Sequence, residues 1–416
     1  MDQTGKMSLI VKANRVFSPG TPIDAYALFA GRKEQVKDVV TGTLQAGRHI
    51  ILYGERGVGK TSLAKVISEI LSNAGVQVLN SGTINCDGTD NFSSLWHKIF
   101  RELSVVLEAK QVGFSNDKSL EKVCLENFLP NKKVSPDDVR YVLSQLPKKS
   151  EILILIDEID TLKDTETTNL LANTIKNLSD HAINVTLLLV GVAESVSELI
   201  AEHKSVERAL VQVPMPRMSK SELVQILETR LPLLNLTIKE DAKEWITDLS
   251  RGLPYYTHSL GLYAVIHGIE EDRTEIEMSD VAHAMRSIVK KPHTLVSAYN
   301  KAISSPQKKN IYSHVLLSCA LARTDELGHF PAAAVSKPLS IIMGKKCDIP
   351  NFARHLKHFS DEKIGILNVT GEVRKLRYRF SDPMMQPFVI MHGFTDGAIT
   401  QDILKKVREV QYNLSS

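Results

Sequence analysis

An apolar strand running into a glycine-rich loop and then into an amphipathic helix leaves a chain few folds to adopt. Here Arg48–Tyr53 is the apolar run, Thr61–Asn73 has helical spacing, and Gly54-Glu55-Arg56-Gly57-Val58-Gly59-Lys60-Thr61 between them fits G-x-x-x-x-G-K-[ST]. Glycines at these positions let the backbone curl so that amide N–H groups converge on a phosphate, and the following helix N-terminus adds positive potential. Lys60 is expected on the β- and γ-phosphates and Thr61 on Mg²⁺, with Ser62 beside it in the same turn. ATP and Mg²⁺ are therefore the expected cofactors. The competing reading is a glycine turn before an ordinary helix.

A second segment bears on that choice. Ile152-Leu153-Ile154-Leu155-Ile156 is a continuous apolar run, as a strand covered on both faces of a parallel sheet would be, and it delivers Asp157 and Glu158 to its end. Ligands bind at that edge in open α/β sheets. Asp157 is expected to hold Mg²⁺, partly through water, and Glu158 to orient the attacking water. Alone, Asp157, Glu158 and Asp160 could be a solvated acidic turn; beside a phosphate loop the catalytic reading is favoured.

The rest of the chain extends the pattern. Gly31–Leu44 reads as a helix, Val76–Cys86 as a strand and Phe92–Glu108 as a helix. Residues 110–134 read as an irregular insertion. Ser135-Pro136-Asp137-Asp138 has the N-cap, proline and acids of a helix start. Thr165–His181 is helical, Asn184–Val190 a buried strand, and Val211–Val213 begins a short last one. Strands alternating with helices over 31–215 indicate an α/β layered domain. Beyond Pro216 the strand signals stop, and Ser219–Leu231, Lys239–Ser250, Pro254–Gly268 and Ser279–Val289 read as helices. Residues 1–30 read as loop-rich, broken by Pro19, Gly20 and Pro22.

Composition excludes several classes. At 416 residues the chain expects more than one domain, and 43% hydrophobic with 24% charged residues is enough for real cores. No apolar run approaches the roughly 18 residues of a membrane span, and no secretory signal is visible. Cys86, Cys124, Cys319 and Cys347 form no C-x-x-C, so a reducing cytoplasmic setting is expected. No H-E-x-x-H is present, nor any nuclease, protease or deaminase constellation. The net charge of +3 hides an asymmetry: from Lys290 onward there are 19 basic and 10 acidic residues. A basic C-terminal third suggests an anionic partner there, or simple solubility.

Together GERGVGKT and ILILIDEID resemble the AAA+ ATPases, and more narrowly two groups within them. One is the origin-recognition and cell-division-cycle initiator ATPases; the other is the signal-transduction ATPases with numerous domains (STAND). Phe17-Ser18-Pro19-Gly20 and Leu28-Phe29-Ala30-Gly31-Arg32 resemble the lead-in that packs on adenine in those proteins. The resemblance implies four parts: an adenine-packing segment (1–30), a P-loop AAA+ core with a parallel sheet (31–215), an all-helical lid (216–290) and a winged-helix domain with a tail (291–416).

It also implies particular site residues. A polar sensor, often Asn, follows the next core strand in such domains. Here Gly191-Val192-Ala193-Glu194-Ser195 stands there, Ser195 being the best substitute and Glu194 the second, although Ser195 could equally be a helix N-cap. The missing Asn makes slow hydrolysis the expectation. Arg208, before the last core strand, matches the finger that reaches a neighbour's ATP in trans, which requires a homo-oligomer; a surface ion pair with Glu207 or Glu202 is the alternative. Arg251-Gly252-Leu253-Pro254 resembles the G-x-P lid of STAND proteins, with Pro254 near the nucleotide and His258 a weak phosphate-sensing candidate.

The C-terminal third completes the picture. Residues 306–322 read as a helix. In Asp348–Phe359 the residues Phe352, Leu356 and Phe359 form one buried stripe, which leaves Asn351, Arg354, His355, Lys357 and His358 for other faces. Ile364–Val369, a Gly371 turn and Arg374–Phe380 read as a hairpin carrying Lys375, Arg377 and Arg379 on one face and Arg374 on the other. Helices followed by such a hairpin resemble a winged helix, with Arg354 and Lys357 on a groove-entering helix and Lys375, Arg377 and Arg379 on phosphates. The expected function is an ATP-dependent switch whose nucleotide state controls assembly and binding to double-stranded DNA. The alternative, favoured by the lid and the missing Asn, is a STAND-like signalling or anti-phage defence ATPase that holds and releases an effector protein.

Overall fold

The computed structural model describes the chain except for residues 1, 20–28, 75–83, 111–117, 131–132, 147–151, 194, 201–203, 292–293, 306–309, 326, 373–374 and 413–416. Two compact units emerge: Pro22–Glu55 with Gly59–Met215, and Met1–Thr21 with Arg56–Val58 and Pro216–Ser416. The chain opens on a helix, α1 (Gln3–Val16), capped by the Asp2 side chain accepting from Gly5 N–H. This corrects the loop-rich reading of the N-terminus. The breakers behind that reading lie beyond the helix end, and of these Gly20 and Pro22 fall outside the described residues.

The first of those units is α/β. In chain order it holds α2 (Lys33–Thr43), β1 (His49–Gly54), α3 (Lys60–Asn73), β2 (Ile84–Asn85), α4 (Phe92–Glu102), β3 (Ser104–Lys110), β4 (Lys118–Cys124), α5 (Pro136–Ser144), β5 (Ile152–Asp157), α6 (Thr165–Asp180), β6 (Val185–Val192), α7 (Lys204–Glu207) and β7 (Leu210–Pro214). A five-stranded parallel sheet runs β2-β5-β6-β1-β7. Its central strands are apolar throughout because helices cover both faces: every residue of β5 is buried, and so is β6 up to Gly191. Ser135 and Asp138 form the capping box that starts α5.

Two expectations fail here. The helix expected over Phe92–Glu108 ends at Glu102, and the segment 110–134 is not wholly irregular. Ser104–Lys110 and Lys118–Cys124 pair as an antiparallel ribbon, Val105 opposite Val123. The pair Val105-Val106 is β-branched, which serves a strand better than a helix.

The second unit is mostly helical. It holds α1, α8 (Lys220–Arg230), β8 (Thr237–Ile238), α9 (Glu240–Ser250), α10 (Pro254–Glu270), β9 (Glu275–Ile276), α11 (Met278–Lys290), α12 (Thr294–Ile303), α13 (Tyr312–Leu321), β10 (Phe330–Pro331), α14 (Ala333–Met343), α15 (Ile349–Phe359), β11 (Leu367–Thr370), β12 (Arg377–Phe380), α16 (Met385–Thr395) and α17 (Gln401–Tyr412). The four helices expected after Pro216 are present, but the lid is not all-helical: β8 and β9 form a small parallel pair. The ring of Phe17 is wholly buried, edge-on to His258 at 6.2 Å, over a bare Gly261 whose added Cβ would lie 2.6 Å from it. Arg230 Nε donates to the Val16 carbonyl at 3.1 Å, so α1 is tied to α8 and α10 through backbone and ring.

Candidate functional site

The glycine-rich loop leaves β1 and turns into α3. Gly54, Gly57 and Gly59 all have positive φ, of 149°, 84° and 95°. Gly54 is obligatory for a second reason. The chain at Met215 crosses against it, Met215 N–H donating to Tyr53 O at 2.7 Å, and a Cβ on Gly54 would lie 2.4 Å from the Met215 carbonyl oxygen. Lys60 is the first residue of α3, and its side chain is buried, not extended into solvent. Its Nζ donates to the carbonyls of Gly54 at 2.9 Å and Glu55 at 2.8 Å. The ammonium thus stands inside the curl formed by residues 54–60. Thr61 and Ser62 follow in the first turn of α3, half-buried, and no side chain caps the start of that helix. Arg56 and Val58 complete the loop, Val58 buried and Arg56 exposed.

Asp157 and Glu158 leave the same edge of the sheet. β5, β6 and β1 are neighbours and parallel, so their C-terminal ends open side by side. Asp157 is buried, while Glu158 is exposed and takes the left-handed conformation, φ 59° and ψ 35°. The Asp157 Oδ1 accepts from Glu158 N–H at 2.8 Å. Burial beside Asp90 and Asp157 pushes the neighbouring Cys86 thiol up to about 12, which keeps it protonated and inert.

The other candidates are distributed as follows. Ser195 precedes a short 3₁₀ turn (Val196–Glu198) but does not cap it; its Oγ pairs with Ser197 Oγ at 3.0 Å and Glu198 Oε1 at 3.1 Å. Glu194 lies outside the described residues. Arg208 is exposed, forms no ion pair among the described residues, and offers only its carbonyl, to Arg48 Nη1 at 2.6 Å. It lies at the N-terminal edge of β7, near His49, whereas the phosphate loop leaves the far end of β1. Six residues of strand separate the two edges by about 20 Å. Arg208 therefore cannot serve its own chain's loop.

In the second unit, Pro254 opens α10 after Gly252, whose φ is 81° and whose Cβ would lie 2.6 Å from Arg217 Cβ. His258 is no phosphate sensor: it is buried between Phe17 and the lid helices, and burial, then Arg230, pushes it down to about 3. Arg354 and Lys357 are exposed on α15, while Phe352, Leu356 and Phe359 are buried. His355, expected on an open face, is buried against Tyr312 at 4.7 Å instead. Lys375 is exposed but stands in the turn before β12, not on the strand; its carbonyl passes 2.7 Å from where a Gly371 Cβ would be. Arg377 is exposed and ion-paired with Asp325 at 2.9 Å, and Arg379 is half-buried. Arg374 lies outside the described residues. Asp160, which the sequence offered only as part of an acidic turn, and Thr161, which it did not single out, are both hydrogen-bonded at this edge of the sheet.

Among the described residues no group of three or more His, Cys, Asp or Glu is placed to hold a metal alone. A hydroxyl and a carboxylate, the donor types of Thr61 and Asp157, suit a hard cation that arrives with phosphate oxygens and water. No helix among the described residues is long and apolar enough to cross a membrane.

Comparison with known proteins agrees with this geometry. The AAA domain family matches residues 43–200. No curated protein sequence matches the chain. Among solved structures, the Aeropyrum pernix ORC2 protein, determined as ADPNP–ADP complexes, is 16% identical over 97% of this chain and 98% of its own, with a TM-score of 0.50. The Walker-type ATPase of Pyrococcus abyssi is 15% identical over 90% and 99%, TM-score 0.49. The Aeropyrum pernix ORC1 protein in complex with DNA is 17% identical over 90% and 95%, TM-score 0.46. With a glycine-rich loop, a paired acidic strand end and a five-stranded parallel sheet in place, residues 43–200 match the AAA domain family, in a chain that shares the fold of the ORC2 protein.

Proposed function

We propose that this chain is an AAA+ molecular switch that binds ATP with Mg²⁺, hydrolyses it slowly, and uses its nucleotide state to control self-association and binding to double-stranded DNA. The observation that carries the nucleotide half is the Lys60 ammonium held inside the glycine loop, with Asp157 and Glu158 at the same sheet edge. Lys60 supplies positive charge to the β- and γ-phosphates, and the loop amides and the start of α3 supply donors. Thr61 and Asp157 hold Mg²⁺, which neutralises phosphate charge when bound. Glu158 orients the attacking water, and the exposed Arg208 serves a neighbouring copy's site. Slow turnover follows from Ser195, whose hydroxyl is occupied by Ser197 and Glu198. The ADPNP and ADP bound to the ORC2 protein are in keeping with this reading.

The DNA half rests on the C-terminal third. Helix α13, strand β10, helices α14 and α15 and the β11–β12 hairpin follow one another, and the sheet runs β10-β12-β11. We read this as a winged helix, with α15 presenting Arg354 and Lys357 and the hairpin presenting Lys375, with Arg377 and Arg379 on its strand. The excess of basic residues after Lys290 supports a polyanion as partner. A second reading, an ATPase that holds an effector protein, is favoured by the pairing of Arg377 with Asp325, which draws one wing cation away from phosphates.

The deciding experiment is a titration of duplex DNA with and without ATP at two salt concentrations, preceded by direct measurement of ATP binding. ATP-dependent, salt-sensitive affinity supports the switch. ATP binding without any DNA affinity would move the effector-holding reading to first place.

A further inference from the structure

The turn that presents Glu158 is braced by two residues with no assigned role. A left-handed conformation is uncommon outside glycine and persists only where its surroundings hold it. Glu158 is held on both sides. Its N–H donates to Asp157 Oδ1, and its carbonyl accepts from both Thr161 N–H at 2.9 Å and Thr161 Oγ1 at 2.8 Å. Asp160 points elsewhere: its Oδ1 accepts from Val192 N–H at 2.8 Å. Val192 is the last residue of β6, beyond the β5–β6 ladder, which ends at Ile156 opposite Leu189. A second contact reinforces the tie. Ile159, buried between Glu158 and Asp160, fills the space left by Gly191, where an added Cβ would lie 2.8 Å from Ile159 Cγ1.

We propose that Asp160 and Thr161 are positioning residues for ATP hydrolysis: Thr161 fixes the strained turn that aims Glu158, and Asp160 locks that turn to the exit of β6. This rests on the ATPase reading above and deepens it. The bond to Asp160 is made by the backbone of the β6 exit, so the strand end itself, held through Asp160, sets the position of the catalytic edge. A solvated acidic turn would need neither bond. The brace matters because a water-orienting carboxylate displaced by about 1 Å loses on the order of a hundredfold in rate.

The test compares variants that keep each bond with variants that remove it. Asp160→Asn retains an oxygen acceptor for Val192 N–H, and Asp160→Ala does not. Thr161→Ser retains the hydroxyl, and Thr161→Val removes it with little change of shape. Single-turnover hydrolysis should fall roughly ten- to hundredfold in Asp160→Ala and Thr161→Val, with ATP affinity within about twofold of wild type, as loss of a transition-state alignment requires. Asp160→Asn and Thr161→Ser should stay near wild type. Amide exchange at Val192 should rise in Asp160→Ala alone. An Asp160→Ala chain with wild-type turnover, or with unchanged exchange at Val192, would overturn the brace, as would Asp160→Asn failing as badly as alanine. A wild type that binds ATP without cleaving it would count against the functional reading, and the Val192 exchange would then still decide whether Asp160 holds the β6 exit.

Discussion

Arg217 Nη1 donates to Gln386 Oε1 at 2.6 Å, and the same amide donates through Nε2 to the Ala320 carbonyl at 3.0 Å. Gln386 is buried and lies on α16, Ala320 is near the end of α13, and Arg217 stands just before α8. One side chain thus ties the approach to α8 to both α13 and α16. Tyr256 Oη adds a bond to Met384 O at 2.7 Å, and burial, with help from Tyr255 and Asp382, raises that phenol well above its usual range. A buried amide that satisfies both its donor and its acceptor sides specifies one packing arrangement.

Gln386→Leu should therefore destabilise the second unit by about 1–3 kcal/mol, the cost of stranding buried polar partners. Urea or thermal unfolding followed by fluorescence of Trp245, which packs edge-on to Phe394 at 5.0 Å, reads that unit once Trp96 of the first unit is replaced by phenylalanine. An unfolding midpoint equal to wild type would show that the amide contributes nothing net.

Lys60→Ala removes the charge that the loop closes around and should abolish ATP binding in a calorimetric titration. Mg²⁺ alone should give no heat with the wild type, since Thr61 and one carboxylate are too few donors without phosphate oxygens. Glu158→Gln keeps the shape of the residue and its backbone bonds. It should retain ATP while hydrolysis drops by roughly 10²–10⁴, the range for loss of a positioned acid–base group. Glu158→Gln turning over ATP at the wild-type rate would remove Glu158 from its role.

What is legible in the sequence is local. The loop, the apolar β5 and the helical periodicities each lie within one continuous stretch, so spacing alone exposes them. The Asp160–Val192 bond joins residues 32 apart, through a strand register that no local pattern reveals. Ser104–Lys110 reads partly as helix because short apolar runs suit either state until a partner strand is known. His355 is different, because its burial is visible in the spacing. Phe352, His355, Leu356 and Phe359 stand at i, i+3, i+4 and i+7, which is a complete buried face, and a stripe drawn from carbon side chains alone misses its polar member. Nor can local pattern show that Arg377 pairs with Asp325, since the two lie on different segments of the module.

Two buried histidines set an acid limit. His49 accepts from Leu187 N–H through Nδ1 at 3.0 Å, so its own proton sits on Nε2, and burial lowers it from 6.5 to about 4. His258 is lowered to about 3. The unfolded chain takes up protons as pH falls through 6.5, while the folded chain does not until these lower values. Their stabilisation is therefore complete above that range and is lost on acidification. His49 alone accounts for about 3 kcal/mol between its two values. Unfolding midpoints of the first unit should drop steadily from pH 7 to pH 5. His49→Asn, which cannot titrate, should show a slope shallower by about one proton. Equal slopes would mean that His49 is protonated in the folded chain.

The β11–β12 hairpin gives the last prediction. Arg377 Nη1 lies 2.9 Å from Asp325 Oδ2 with both side chains partly exposed, and Tyr378 and Phe380 on either side of Arg379 are buried. An exposed pair of this kind adds little stability. Its consequence is electrostatic: the carboxylate competes with any phosphate for the guanidinium. Asp325→Asn should leave folding unchanged and strengthen binding to duplex DNA. The slope of log affinity against log salt should steepen by up to about 0.9, as one further neutralised phosphate requires. Arg354→Ala with Lys357→Ala should weaken binding and flatten the slope by up to roughly twice that amount. Arg377→Ala alone should cost less than the α15 pair, because its cation is already partly neutralised. If Asp325→Asn left both affinity and slope at wild-type values while the α15 pair abolished binding, the helix would carry the contact and the hairpin would not face the DNA.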